Sequence, residues 1–313
     1  MVDKFFPSRP CRQPCGRSAG SPRGFTILEL LVTLAVTGFV LAGTLTMVMS
    51  SRAIFAKDRG RVAVVRNLRD SLDVLGIDVR QAGERLPADF YAIEIVNGAS
   101  GAPDTLVLRR NLVSEVLPLC GRLQSGVSST EVQVGDTTSP PAGCAPVADA
   151  NADGWPDNIG AWRDWRTAHA GNVPVYVFNP VGRFGEWMAF DDDGTTSEWI
   201  GNAGGPWLHT YEITEQCRLY MLEERRYTLN NGVLQFVMDQ GSGAAQNVAA
   251  RLTDFQVRAV LIDGTIQNTF DGSTPWSNLA AVEVTLSGRA TLEGRTVNRS
   301  ETTRFFPRNI LSN

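Results

Sequence analysis

Between Glu29 and Arg52 the chain runs for 22 residues without a charged side chain, and then it changes character. The apolar run FTILELLVTLAVTGFVLAGTLTMVM occupies Phe25–Met49, with Glu29 as its only charge. As a helix, those 22 residues extend roughly 33 Å, enough to cross a hydrocarbon core of about 30 Å. Past Arg52, Val62, Val65, Leu68, Leu72, Leu75, Val79 and Ala82 recur at spacings of three and four. Arg66, Arg69, Asp70, Asp73, Asp78 and Arg80 fill the opposite face. That is the periodicity of an amphipathic helix with one face on a core. Gly83 and Pro87 end it. The pattern predicts one nearly continuous helix from about Phe25 to Arg85, softened at Gly60 and Gly76 by about 1 kcal/mol each relative to alanine.

Beyond Pro87, short β-like runs alternate with turn clusters. The runs are Thr105–Leu108, Glu131–Val134, Val173–Phe178, Trp187–Phe190, Arg218–Glu223, Tyr227–Leu229, Val233–Met238, Leu252–Ile262, Ala281–Leu286 and Thr302–Phe306. Asn230-Asn231-Gly232 reads as a hairpin turn, because Asn and Gly accept positive φ. The predicted class is α+β: a long N-terminal helix whose second half packs on a mainly antiparallel β head.

Charge then separates the chain into different objects. The 313 residues carry a formal charge of −4, with 29 Lys and Arg against 33 Asp and Glu. Residues 1–24 hold Lys4, Arg9, Arg12, Arg17 and Arg23 against Asp3, a charge of +4 that leaves −8 for the remaining 289 residues. Bulk charge therefore does not indicate direct nucleic-acid binding. The basic leader places residues 1–24 in the cytoplasm and the C-terminal bulk outside. A secretory signal peptide needs a shorter apolar core and a small-residue cleavage site after it, which Ser50-Ser51-Arg52 does not supply. A plain signal anchor accounts for everything except Glu29, and a buried globular helix does not account for the basic leader. A carboxylate in a membrane helix is costly and points to function.

Gly-Phe-Thr-Ile-Leu-Glu-Leu-Leu-Val, from Gly24 to Val32, resembles the prepilin signal of type IV pilins and type II secretion pseudopilins. The resemblance implies cleavage between Gly24 and Phe25 by a prepilin peptidase, N-methylation of Phe25, and pairing of Glu29 with the N-terminal amine of a neighbouring subunit. It also implies a type IV pilin-like fold, with residues 1–24 as leader, 25–50 as transmembrane and assembly helix, 51–86 as amphipathic helix and 87–313 as extracytoplasmic head. Asp78-Val79-Arg80-Gln81-Ala82-Gly83 resembles a segment of PilW-like minor pilins and J-type minor pseudopilins. The ending from Thr302 to Asn309, with its Arg308-Asn309 pair, is similar to PilW-like proteins. The middle, about residues 90–215, carries no such likeness. The implied partners are the peptidase, other pilins met through the N-terminal helix, and the pilus assembly machinery. The implied location is the inner membrane, then the pilus or cell surface, with adhesion, twitching motility or DNA uptake downstream.

Cys11 and Cys15 lie in the leader, leaving Cys120, Cys144 and Cys217 outside the cytoplasm, where disulfides persist. Cys120 and Cys144 are closest in sequence and bracket a Pro/Ser/Gly-rich loop, so they are the preferred pair. Three reduced cysteines, or pairing through Cys217, are the alternatives.

Asp149, Asn151, Asp153, Trp155 and Asp157 supply oxygens at positions 1, 3, 5, 7 and 9 of an EF-hand-like loop, with Gly154 at position 6. They form a candidate calcium site, set against a plain solvated Asp/Asn/Gly turn. Gly160 stands at position 12, where a bidentate acid belongs. Asp191-Asp192-Asp193-Gly194 with Glu198 reads as a hairpin turn rather than a second site. His169 and His209 have no ligand-spaced partner, and six tryptophans from Trp155 to Trp207 read as packing. No H-E-x-x-H motif occurs, and the one G-x-S-x-G string, Gly16-Arg17-Ser18-Ala19-Gly20, lies in the leader rather than the head. The expected function is a non-catalytic minor pilin subunit. The alternatives are a minor pseudopilin of type II secretion and, more distantly, a membrane-anchored exported enzyme or binding protein.

Overall fold

The computed structural model describes residues 24–169, 171–238, 243–292 and 294–309. The leader through Arg23, with Cys11 and Cys15, lies outside the described residues. A single helix, α1 (Ile27–Gln81), runs through two compact units, the first ending at Phe55 and the second beginning at Ala56.

In the first unit every residue from Gly24 to Ser50 is exposed. Ile27 is 83% exposed, Phe39 83% and Met49 69%. Leaving such side chains in water forgoes about 1.5–3 kcal/mol each, so this segment is built to be covered by lipid or by other helices. Its hydroxyls need no outside partner. Thr33, Thr37, Thr44 and Thr46 each donate to a carbonyl three or four residues back, at 2.6–2.9 Å. That is how threonine is tolerated in hydrocarbon.

The second unit is a β head on the rest of α1. β1 (Ile93–Val96), β2 (Thr105–Asn111), β9 (Leu222–Asn230), β10 (Val233–Met238) and β11 (Gln246–Ala250) form one sheet in that order. A second sheet has the order β13 (Ile266–Gln267), β12 (Leu252–Leu261), β14 (Leu279–Leu292), β15 (Arg295–Phe305). A third runs β3 (Leu117–Pro118), β8 (Arg218–Tyr220), β5 (Val173–Asn179), β6 (Phe184–Phe190). β4 (Glu131–Gln133) pairs β7 (Trp199–Gly201). Every one of these pairings is antiparallel. The long apolar helix and antiparallel sheets fit an α+β, pilin-like layout.

β2 pairs directly with β9, from Leu106 opposite Tyr227 to Asn111 opposite Leu222. Everything from Leu112 to Met221 is therefore an excursion between two neighbouring strands, closed at its neck by the Leu112 N–H donating to the Met221 carbonyl at 2.8 Å. The excursion builds its own core from residues such as Leu119, Val132, Trp162, Val175, Phe190, Trp207, Tyr211 and Leu219. The principal core joins Val64, Leu68, Leu72, Leu75 and Val79 of α1 to Phe255, Val257, Val282, Val284, Leu286 and Phe305.

Several sequence expectations need correcting. The helix begins at Ile27 and ends at Gln81 rather than near Arg85, because Gly83 takes φ +79° and a Cβ there would stand 2.2 Å from Trp276. The early buried stripe is Ala56, Gly60 and Val64, whereas Val62 is 65% exposed. Gly60 brings the helix close to the β14–β15 hairpin: a Cβ there would stand 3.3 Å from the Leu292 side chain and 3.7 Å from that of Val297. Asp78, placed on the solvent face by periodicity, is buried. The predicted run Arg218–Glu223 breaks at Met221 into β8 and β9. The C-terminal runs are parts of the long β14–β15 hairpin. A second helix, α2 (Asp157–Ala168), stands where a loop was expected, burying Ile159 and Trp162 on its inner side.

Candidate functional site

Gly24, Phe25 and Thr26 precede α1 in non-helical, exposed backbone. The Gly24–Phe25 peptide thus lies outside the helical hydrogen-bond ladder. Thr26 starts the helix: its Oγ1 accepts from the Glu29 N–H at 3.2 Å, and its carbonyl accepts from the Leu30 N–H at 3.2 Å. Thr26 is therefore the N-cap and Glu29 the third helical residue, which makes one arm of a Thr-x-x-Glu capping box. Glu29 also sits where the helix dipole favours a negative charge. This local role was legible as Thr26-Ile27-Leu28-Glu29 but is absent from the family-based reading, which gives Glu29 to a neighbour's amine. Phe25 is 78% exposed, and among the described residues no cation pairs with Glu29.

The other end of α1 is where the head is joined on. The Asp78 carboxylate accepts from Arg225 Nη1 at 2.7 Å and from the Tyr227 hydroxyl. Arg225 Nε donates in turn to Glu223, which also accepts from Arg110 Nη2 at 2.7 Å. Arg110 Nη1 donates to the Gln81 side chain at 2.8 Å, returning the chain of charges to α1. Burial, reinforced by its bond to Asp78, pushes the Tyr227 hydroxyl well above the usual tyrosine value. Beside this lies the buried Arg109, bonded to Glu224 at 2.8 Å and Glu94 at 2.7 Å. Asn309 Nδ2 donates to the Gln81 and Ala82 carbonyls at 3.3 and 3.1 Å, so the Arg308-Asn309 ending caps the free carbonyls at the end of α1. The Asp78–Gly83 segment and that ending, far apart in sequence, belong to one junction.

In the excursion the sulfurs of Cys120 and Cys144 stand 2.16 Å apart, at bonding distance, with Cα atoms 5.6 Å apart. Cys217 is buried and free, and its surroundings push the thiol up to about 12, chiefly through burial.

The acidic loop before α2 folds on its own backbone. Asp149 Oδ1 and Oδ2 accept from the Asp153 and Gly154 N–H groups at 3.2 and 2.9 Å. Asn151 Oδ1 accepts from Asp153 N–H at 3.1 Å, and Asp153 Oδ1 from Trp155 N–H at 2.9 Å. Asp157 Oδ1 accepts from Ala150 N–H at 3.1 Å and opens α2. Gly154 turns the loop at φ +91°. A Cβ on Gly160 would stand 3.8 Å from Asp153 Oδ2, so position 12 faces the acidic side chains without supplying a ligand. Arg163 lies 3.8 Å over the Trp155 ring and bonds Asp193 at 2.8 Å. Among the described residues, no three His, Cys, Asp or Glu side chains converge to hold a metal ion.

The turn at Asp191–Gly194 has a structural role that spacing did not reveal. Asp193 binds Arg163 and also Arg166, the latter at 2.6 Å, and so pins α2 to the end of β6. The Arg163 hydrogen bond, helped by Arg166, holds its carboxyl below the usual carboxylate range. His169 stacks on Trp165 at 4.2 Å between centroids, and His209 lies 4.6 Å from Phe184.

Residues 21–45 match the model of the prokaryotic N-terminal methylation motif. No curated protein and no solved structure matches the chain. The motif match supports a type IV pilin-like prepilin and implies processing by a prepilin peptidase and handling by pilus or secretion machinery. With one helix apolar enough to cross a membrane among the described residues, it fits a membrane anchor with an outward head.

Proposed function

We propose that this chain is a non-catalytic minor pilin of the PilW-like kind, cut between Gly24 and Phe25, methylated on Phe25, and incorporated into or priming a type IV pilus. The observation that carries this reading is the N-terminus of α1: an exposed non-helical junction, a capped helix start with Glu29 in its first turn, and a bare apolar segment behind it. Such a segment is held by the bilayer before assembly and by neighbouring helices after it. A head with two cores, tied to the helix by a buried ionic network, suits a subunit that must stay attached when its anchor is drawn out of the membrane.

A minor pseudopilin of type II secretion shares these features. Neighbouring genes and the phenotype of a deletion separate the two: loss of pili favours the first reading, loss of a secreted enzyme with pili intact the second. Mass spectrometry of protein made with the peptidase tests the shared reading. The expected N-terminus is methylated Phe25, and an intact leader overturns it.

A weak calcium site in the loop from Asp149 to Asp157 is a second proposal. It is supported by the oxygen-bearing side chains of Asp149, Asn151, Asp153 and Asp157, with the Trp155 carbonyl, around the Gly154 turn.

A further inference from the structure

A groove of about 860 Å³ opens in the head where α1, the β9–β10 turn, the start of β12 and the far half of β14 come together. Arg59, Arg251 and Arg289 line it, and no acidic side chain does. A recess of about 370 Å³ shares Arg251 and Arg289 and adds Asn67. The walls are fixed by backbone bonds rather than by the arginine side chains. Arg251, at φ +63°, accepts the Arg289 N–H on its carbonyl at 3.0 Å, and Asn67 Nδ2 donates to the Ala250 carbonyl at 2.7 Å.

The three guanidinium groups are spare. All three residues are exposed, and none forms an ion pair among the described residues. Elsewhere in the head, Arg109, Arg110, Arg163, Arg166, Arg225 and Arg304 are each bonded to a carboxylate. In a chain that carries −8 beyond its leader, three unpaired cations around one groove invert the local charge. Guanidinium forks match phosphate oxygens, often in pairs of parallel bonds. Chain length places the groove near a dense source of phosphate. Arg59 lies ten residues past Met49, the end of the apolar run, about 15 Å of helical rise. The headgroup layer covers roughly 5–8 Å of that, and an arginine stem is long enough to span much of the remainder.

We propose that this groove receives the phosphate of an anionic phospholipid from the outer leaflet of the membrane holding the apolar helix, steadying the head against the surface before assembly. The proposal rests on the membrane-anchor reading above. The test places the full chain in nanodiscs of phosphatidylcholine alone or mixed with phosphatidylglycerol, and follows hydrogen exchange at residues 231–233, 250–253 and 289–292. The expected result is several-fold slower exchange there with phosphatidylglycerol. It should be lost in the Arg59→Gln/Arg251→Gln/Arg289→Gln variant and partly kept in the corresponding lysine variant. A chain that does not enter the discs overturns the anchor and this proposal with it. Entry with equal exchange in both discs overturns this proposal alone. The same slowing from inorganic phosphate in lipid-free detergent assigns the groove to free phosphate, and slowing seen only with an added acidic partner subunit assigns it to protein docking. Either result overturns the lipid.

Discussion

Arg225 Nη1 donates to Asp78 Oδ1 at 2.7 Å, across 147 residues of sequence, and so ties the last turns of α1 to β9. The Tyr227 hydroxyl bonds the other oxygen of the same carboxylate, leaving Asp78 6% exposed. A charge this deep is tolerated only when every partner is present, because an unpaired buried ion costs several kcal/mol. The pair therefore specifies where along the sheet the helix sits. A helix shifted by one residue would take Asp78 away from both Arg225 and Tyr227.

Asp78→Ala should accordingly destabilise the head by about 3 kcal/mol, somewhat less than the loss of a fully isolated buried pair because Arg225 keeps Glu223. Asp78→Asn retains hydrogen-bonding capacity and should cost less. Chemical denaturation of the detergent-solubilised chain, followed by near-ultraviolet circular dichroism, measures both. Equal midpoints for wild type and Asp78→Ala would remove the network from any role in joining helix to sheet.

The Thr26 cap and the proposed pairing of Glu29 with a neighbour come apart by mutation. Thr26→Ala removes the cap, at about 1 kcal/mol of local helix stability, and leaves the charge. Glu29→Gln removes the charge and leaves a residue suited to the capping box. If pairing across subunits dominates, Glu29→Gln should be cut and inserted normally yet be depleted from sheared fibres, while Thr26→Ala assembles close to wild type. Immunoblots of fibres, with mass spectrometry of the N-terminus, read out both steps. Equal depletion in the two variants would make the cap the main role.

The long helix and the antiparallel class were legible in the sequence because each rests on local pattern: an uncharged run, a period near 3.6, alternation. What was missed depends on distant partners. Asp78 carries the same signal as Asp73, and nothing local shows that β9 presents Arg225 and Tyr227 to it. The Leu112–Met221 excursion is invisible because strand pairing between β2 and β9 is a long-range fact. The second helix was hidden by the calcium-loop reading, which ran past Pro156-Asp157 even though a proline before an acidic first turn is an ordinary helix start. The Arg308-Asn309 ending carries a likeness in sequence, but its physical sense, a cap on the end of α1, lies in a contact with residues more than 200 positions away.

Acid should loosen the attachment of α2 to the end of β6. The Arg163 and Arg166 bonds depress the Asp193 carboxyl below its unfolded value, near 3.9. Its contribution is therefore complete above that value and is lost as pH falls through the lower folded value. Glu283, depressed first by its bond to Arg304 and then by Arg258, behaves alike in the second sheet. Tryptophan fluorescence, with Trp162 and Trp165 on α2, should report an acid transition that Asp193→Asn shifts to higher pH or replaces by a pH-independent loss. An unchanged acid limb in that variant would remove Asp193 from the transition.

The calcium proposal turns on Gly160. Position 12 faces the Asp153 carboxylate, but glycine offers no oxygen there, and Arg163 already supplies positive charge nearby, its guanidinium raised by Asp193 first and by Asp153 among others. The natural loop should therefore bind weakly, with Kd on the order of 10⁻⁴–10⁻³ M as in extracellular modules. Gly160→Glu adds the missing acid at a buried position of α2 where a Cβ would meet only Asp153 Oδ2, and should tighten binding at least about tenfold, a gain of about 1.4 kcal/mol. Calorimetric titration of the full chain in detergent measures both. A variant that gains no affinity would show that these side chains are committed to their own backbone, since the loop would then hold no ion even with its ligand set completed.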